Sequence, residues 1–190
     1  NAKLPKDVFK SLIFILLSVV FWYMAYNAAT SKFSVYATTV LDTGYSLPLL
    51  VAQAAAIVTY IPIGHLSNRI GRKKTVIIGV IILFVAFLLA SFLTTKTAIL
   101  IWVAMAFAGI GWATINVNSY PMVVEMSNGS NVGKYTGIYY TASMSAQIIT
   151  PVFSGFLMDV FSFRVLFPYC VFFCLIAFTT SMALIFRKRK

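Results

Sequence analysis

Six long stretches without an Asp, Glu, Lys or Arg divide this chain of 190 residues. They cover 11–31, 43–68, 75–95, 97–124, 135–158 and 165–186, and the shortest holds 21 residues. An α-helix rises about 1.5 Å per residue, so about 20 apolar residues cross a hydrocarbon core some 30 Å thick. None of the stretches shows the two-residue alternation of a membrane β-strand. The sequence therefore predicts an all-α membrane protein with six transmembrane helices.

The composition supports the same fold class. Of all residues, 61% are apolar and 10% are charged, whereas a soluble domain has roughly a quarter of its residues charged. Lipid must therefore cover most of the surface, and the bilayer is the first expected partner. The net charge of +11 does not indicate nucleic acid, because the basic residues stand in short clusters between the apolar stretches and not along one face.

The basic residues also predict the orientation in the membrane. If the six helices alternate in direction, the outer side receives Lys32, Lys96 and Arg164 only. The side of the N-terminus receives the other twelve: Lys3, Lys6, Lys10, Arg69, Arg72, Lys73, Lys74, Lys134, Arg187, Lys188, Arg189 and Lys190. Because cytoplasmic loops collect Lys and Arg, both termini are expected in the cytoplasm.

Polar side chains inside the stretches indicate which helices line a cavity. Amide side chains occur in the first, second, fourth and fifth stretches, whereas the third is aliphatic and is expected to be a lipid-exposed rod. At about 100° per residue, polar and aromatic residues share one face of each of these four helices. Such groups also hold helices together, but their restriction to four helices favours a water-filled cavity. The candidate cavity residues are Tyr23, Tyr26, Asn27, Thr30, Gln53, Tyr60, Trp112, Asn116, Tyr140, Ser143 and Gln147.

The chemistry of these side chains favours a small neutral solute. Amides donate to and accept from hydroxyl groups, and aromatic rings pack on the apolar face of a sugar. No charged residue or histidine lies deep in any stretch. A coupling cation, H⁺ or Na⁺, thus has no obvious binding group here, and no cofactor or metal ion is expected. Intramembrane enzymes are disfavoured because the only histidine, His65, lies among cations in a loop.

The loop after the second stretch reads Gly-His-Leu-Ser-Asn-Arg-Ile-Gly-Arg-Lys-Lys over 64–74. It resembles the signature loop of the major facilitator superfamily, G-x-L-a-D-R-x-G-R-K-x, which joins the second and third helices of each six-helix half. Asn68 stands at the acidic position of the motif. Gly64 is expected to permit close helix packing and Gly71 a tight turn.

The cations of this loop, Arg69, Arg72 and Lys73, are expected to anchor it at the membrane surface. Glu125, at the cytoplasmic end of the fourth helix, is a candidate partner for Arg69 or Arg72. Such a pair would latch one conformation and break in another. An ordinary interfacial glutamate is the alternative interpretation.

The resemblance covers essentially the whole chain and implies a single domain, 1–190, that forms the C-terminal half of a transporter. It further implies two inverted three-helix repeats, roughly 1–95 and 96–190, and a partner in the missing N-terminal six-helix half. The first helix, around 21–28, is similar to the seventh helix of sugar–cation symporters related to sucrose permeases. The expected function is transport of a sugar across the bacterial cytoplasmic membrane by alternating access. A self-standing homodimeric transporter and a non-transporting receptor or assembly protein of the same fold remain alternatives.

Overall fold

The computed structural model describes residues 6–127 and 131–186, and in these ranges the secondary structure is entirely helical. Both chain ends, on which the orientation prediction partly rests, lie outside these ranges. Two short 3₁₀-helices, Thr95–Leu100 and Phe163–Val165, precede the fourth and sixth long helices. The long helices are α1 (Lys6–Thr39), α2 (Ser46–Ile70), α3 (Arg72–Ser91), α4 (Ile101–Val124), α5 (Val132–Val160) and α6 (Leu166–Phe186).

Five of these helices, α1, α2, α3, α4 and α6, are long and apolar enough to cross a membrane. The chain is therefore an integral membrane protein. Of the six predicted spans, α5 alone lies outside that group, although its 29 residues are more than enough to cross a bilayer. Its many hydroxyl groups, Gln147 and Lys134 lower its hydropathy.

Helix α1 extends eight residues beyond the stretch that the sequence assigned to it. It has 34 residues, ends at Thr39, and contains Lys32 within its last two turns. The Lys32 side chain lies across Gly155 of α5, where an added Cβ would be 2.8 Å from the Lys32 Nζ. A long lysine side chain can follow a helix surface with its charged end directed to the membrane boundary. The position of a lysine in the sequence is therefore not sufficient to locate the end of a transmembrane helix.

The helices pack in a fixed order of neighbours. Helix α4 lies between α2 and α3, α3 also packs on α6, and α6 packs on α1, which in turn contacts α5. Close approaches between backbones occur at Gly109, where an added Cβ would be 2.0 Å from the Ala52 carbonyl oxygen, and between Gly79 and Gly111. Small residues at interfaces are the usual means of packing helices in lipid.

One expectation about packing was incomplete and one was wrong. Helix α3 does expose apolar side chains, such as Ile81, Val85 and Leu89, but eight of its other side chains and Gly79 are buried against its neighbours. Aliphatic residues suit lipid and helix packing equally, so its composition could not distinguish them. Gly64 does not permit a close approach, since a Cβ added there meets nothing within 4 Å. Gly71 does form the tight turn: with φ at +90° it is the single residue between α2 and α3.

Candidate functional site

A cluster of four aromatic rings joins α1 to α4. Trp112 of α4 stacks on Tyr26, with ring centroids 4.2 Å apart and planes at 19°. Its ring also meets Tyr23 and Trp22 edge-on, at 5.4 Å and 5.1 Å. The three α1 rings are buried, whereas Trp112 is only half-buried. Trp112 therefore presents part of its surface outside the cluster, where a ligand can reach it.

Helices α2 and α5 extend this cluster with hydroxyl groups. The Tyr23 hydroxyl lies close to Tyr139, Tyr140 and Ser143, all on α5. Tyr60 of α2 lies in the vicinity of Tyr23 and Tyr26, although it makes no ring contact with them within the described ranges. Side chains from α1, α2, α4 and α5 thus converge on one region. The structure brings together six of the sequence-predicted cavity residues: Tyr23, Tyr26, Tyr60, Trp112, Tyr140 and Ser143.

Two donors in this cluster have unused hydrogen-bonding capacity. The Trp22 Nε1 and the Tyr26 hydroxyl are buried and find no acceptor among the residues that the structure describes. Buried donors without acceptors are rare, because each costs roughly 1–3 kcal/mol. The side chains that form the cluster are uncharged at neutral pH. A site of this kind suits a neutral ligand that offers oxygen acceptors and an apolar face.

The other predicted cavity residues do not join this cluster. The Asn27 amide donates to the Tyr23 carbonyl at 2.8 Å, and the Thr30 hydroxyl donates to the Tyr26 carbonyl at 3.0 Å, so both are satisfied within α1. Gln147, one turn beyond Ser143, donates from its Nε2 to the Met144 sulfur at 3.8 Å and has no other hydrogen bond within the described ranges. These residues extend the polar face along the helices without meeting across it.

Asn116 and Gln53 also lie apart from the cluster. Asn116 is half-buried one turn from Trp112, Gln53 is exposed two turns from Tyr60, and neither side chain hydrogen-bonds within the described ranges.

Sequence reasoning missed Trp22 and Tyr139. Trp22 lies one turn before Tyr26, and this i, i+4 spacing of aromatic residues was a usable signal. Tyr139 lies about 100° around α5 from Tyr140, away from the polar face of that helix. Its hydroxyl nevertheless bonds to Ser119 of α4 at 2.9 Å.

A second polar region lies at the end of α2 and the start of α3. The Arg72 Nε donates to the Glu125 Oε1 at 2.8 Å, so Arg72 rather than Arg69 pairs with Glu125. Both partners are partly exposed, which limits such a pair to less than about 1 kcal/mol. The Ser67 hydroxyl, in the same loop motif, donates to the Asn118 Oδ1 in a buried contact. Asn68, at the acidic position of the motif, is exposed and makes no hydrogen bond within the described ranges. Arg69 and Lys73 are also exposed.

Comparison with known proteins places the chain in a family. The profile described as Major Facilitator Superfamily matches residues 8–190. Among curated proteins, the chain is 26% identical over 163 residues to "Uncharacterized MFS-type transporter MJ1560" of Methanocaldococcus jannaschii, covering 83% of the chain and 42% of that protein. It is 27% identical over 164 residues to "Uncharacterized MFS-type transporter MJ1317" of the same organism, covering 83% of the chain and 40% of that protein. The chain therefore spans less than half the length of these relatives.

Solved structures share the fold. The proton:xylose symporter XylE bound to 6-bromo-6-deoxy-D-glucose superposes with a TM-score of 0.76 at 15% identity, over 96% of this chain and 45% of that one. The inward-open conformation of the xylose transporter XylE from E. coli gives a TM-score of 0.76 at 15% identity, over 96% of this chain and 49% of that one. At this identity the likeness establishes the arrangement of helices.

Proposed function

This chain belongs to the major facilitator superfamily, and from that membership we propose that it supplies one half of the solute pathway of a secondary transporter. In this proposal the missing partner is a second six-helix half, and we assign this chain to the C-terminal position, as the resemblance of its loop motif implies. The relatives support a missing half, since the chain covers only 42% and 40% of their lengths. Transport then proceeds by alternating access around a site between the halves.

The convergence of four helices on one uncharged aromatic and hydroxyl-bearing site carries this proposal. Tyr23, Tyr60, Trp112 and Ser143 come from α1, α2, α4 and α5 in turn. Helices that only hold each other together need pairwise contacts, whereas a binding site needs side chains from several helices directed to one place. The partly exposed face of Trp112 is the platform we assign to the solute.

The solute is a small neutral molecule, and a sugar fits best. The cluster offers hydroxyl and indole donors and flat rings but no counter-ion for a charged solute. A similar helix arrangement occurs in a xylose symporter, and the residues around 21–28 resemble sugar–cation symporters related to sucrose permeases. A coupling cation, H⁺ or Na⁺, would be bound by the other half. The membrane is the bacterial cytoplasmic membrane, with both ends of the chain on the cytoplasmic side.

Inverted three-helix repeats organise this half in our proposal. In two such repeats, α1 corresponds to α4, α2 to α5 and α3 to α6. The α2–α4 contact then corresponds to the α5–α1 contact, and the α3–α4 contact to the α6–α1 contact, and all four are present. The α3–α6 contact corresponds to itself. The contacts between helices are thus consistent with an internal two-fold axis, and the connection around Thr95 divides the two repeats.

The loop between α2 and α3 acts as a conformational latch. Arg72 and Glu125 hold the start of α3 against the end of α4 at the side we assign to the cytoplasm. An ion pair that is weak and partly exposed suits this role, because it can break and re-form during each cycle without a large barrier.

Uptake by the full-length transporter tests the function. The protein is reconstituted into liposomes, and accumulation of radiolabelled D-xylose, D-glucose and sucrose is measured with and without a proton or sodium gradient. Trp112→Phe is compared with Trp102→Phe. Trp102 is also half-buried but lies at the first turn of α4, away from the cluster. We expect the first change to weaken sugar affinity roughly tenfold, because it removes part of the stacking surface, and the second to leave affinity unchanged.

Three results would each contradict a part of the proposal. If correctly folded, reconstituted protein moves none of these sugars, the sugar assignment fails. If an organic anion or cation competes with a transported sugar at the same site, the assignment of a neutral solute fails. Equal loss of affinity from both tryptophan variants would remove Trp112 from the site.

A further inference from the structure

Three consecutive residues near the end of α4 each bond to another helix. The Asn118 Oδ1 accepts from the Ser67 hydroxyl of α2, while its Nδ2 donates to the Thr114 carbonyl at 2.8 Å. The Ser119 hydroxyl bonds to the Tyr139 hydroxyl of α5 at 2.9 Å. The Tyr120 hydroxyl bonds to Thr136 Oγ1 of α5 at 3.2 Å. We call the segment 118–120 the junction.

The junction lies between the two polar regions of the protein. On one side, Ser67 belongs to the loop motif that Arg72 and Glu125 tie down. On the other side, the Tyr139 side chain lies close to Tyr23, a member of the aromatic cluster. Polar contacts therefore join the loop to α4 at Asn118, and join α4 at Ser119 to Tyr139, whose side chain lies beside the site that we assign to the solute.

The residue after the junction makes α4 easy to bend at this point. Pro121 lies inside α4 and has no N–H to donate, so the Val117 carbonyl loses its usual helical partner. Helices bend most readily at such a proline. Below it the helix continues, because the Glu125 N–H donates to the Pro121 carbonyl at 2.8 Å.

Bending at Pro121 has a geometric consequence for the junction. Asn118 and Ser119 point about 100° apart around the helix axis. A bend or rotation of α4 that keeps the contact with α2 therefore displaces the contact with α5. One movement of α4 therefore acts on both contacts.

We propose that Asn118 is a positioning residue that couples the loop between α2 and α3 to the solute site, through Ser119 and Tyr139, by movement of α4 at Pro121. This inference rests on the proposed function. It adds to the latch a specific route by which opening of the loop alters the cluster around Tyr23. Ser67 and Asn118 contact no ligand themselves in this mechanism.

A double-mutant cycle in the full-length transporter tests the coupling. Ser67→Ala and Tyr139→Phe each remove one hydroxyl on opposite sides of α4, and they are combined in a third variant. The first readout needs no solute: the rate at which a maleimide labels Thr141→Cys, an exposed position on α5, in a background without other reactive cysteines. Independent sites give additive effects within about twofold, and we expect a departure of at least about threefold.

The second readout is the KM for sugar uptake. A positioning role predicts that Ser67→Ala changes KM, although Ser67 is remote from the solute, and that Ser67→Thr, which keeps the hydroxyl, restores it. A purely structural role would lower the amount of folded protein and the maximal rate, and would leave KM unchanged.

Ser18→Ala is the matched control. The Ser18 hydroxyl also makes a buried contact between helices, with Ser181 of α6, but lies outside the junction. We expect its effect on labelling to be additive with that of Tyr139→Phe. Additive labelling for Ser67→Ala with Tyr139→Phe would overturn the inference. An absence of sugar uptake in the unaltered protein would overturn the proposed function instead, and the labelling cycle would still decide the coupling.

Discussion

Replacing Gly109 by alanine is the sharpest test of the helix packing. At this position α4 crosses α2 so closely that an added Cβ would lie 2.0 Å from the Ala52 carbonyl oxygen and 2.8 Å from its carbonyl carbon. These are backbone atoms, so no side-chain rotation can relieve the overlap. Ordinary contact begins at 3.4 Å, and α2 must therefore move away from α4 by more than 1 Å.

The cost follows from that displacement. Overpacking in a well-packed interior costs typically 1–3 kcal/mol, and the upper end applies here because a whole helix must shift. Alanine has a better helix propensity than glycine by about 1 kcal/mol, which offsets part of the cost. The net expected loss is roughly 2 kcal/mol. For a protein of several hundred residues, whose unfolding entropy is about 2.1 cal/mol/K per residue, this corresponds to a fall in melting temperature of about 2–3 °C.

Thermal unfolding of the full-length protein in detergent, followed by size-exclusion chromatography after heating, measures this loss. Gly44→Ala is the control, because a Cβ at Gly44 meets nothing within 4 Å. We expect the control to melt within 1 °C of the unaltered protein, on the order of the noise of such an assay. Equal melting temperatures for Gly109→Ala and Gly44→Ala would refute the close crossing of α2 and α4.

Three further predictions concern the ion pair, the orientation in the membrane and the aromatic site. Charge reversal in Arg72→Glu should alter uptake, and combination with Glu125→Arg should restore it. The effect should shrink at high salt, because both side chains are partly exposed. If the double variant fails to restore uptake, the ion pair has no role in the transport cycle. A membrane-impermeant maleimide should label Thr97→Cys but not His65→Cys in intact cells, and the reverse pattern would overturn the orientation. Trp112→Ala should abolish sugar-induced quenching of tryptophan fluorescence, and persistent quenching of unchanged amplitude would contradict a role for this ring in binding.

The helices themselves could be predicted from the sequence because the bilayer imposes a length on them. Uncharged stretches located all six long helices, and the Gly71 turn followed from the loop motif. The ends were less accurate where a charged residue lies within a helix, as Lys32 does in α1. The buried face of α3 was not predicted, because hydrophobicity does not report whether lipid or another helix covers an aliphatic side chain.

The site could be predicted only in outline, since a helical wheel gives the direction of a side chain but not its partner. Asn27 and Thr30 share the polar face with Tyr23, yet their side chains bond to the carbonyls of their own helix. Intrahelical bonds of this kind are open to any amide or hydroxyl in a helix. Tyr139 was missed because its relevance depends on Ser119, twenty residues earlier on another helix.

Helix α5 shows why a polar composition is compatible with a membrane position in this fold. Its connections to α4 and α6 are short, so its 29 residues must run antiparallel to these two apolar helices, which precede and follow it in the chain. Its Thr150 and Ser154 hydroxyls donate to carbonyls one turn earlier, and Tyr139 and Thr136 bond to α4. These hydroxyls therefore need no water. The groups left exposed, such as Tyr140 and Thr141, lie toward the end that bears Lys134. On our proposal this is the part of α5 that faces the solute pathway, which is why lipid never has to accommodate it.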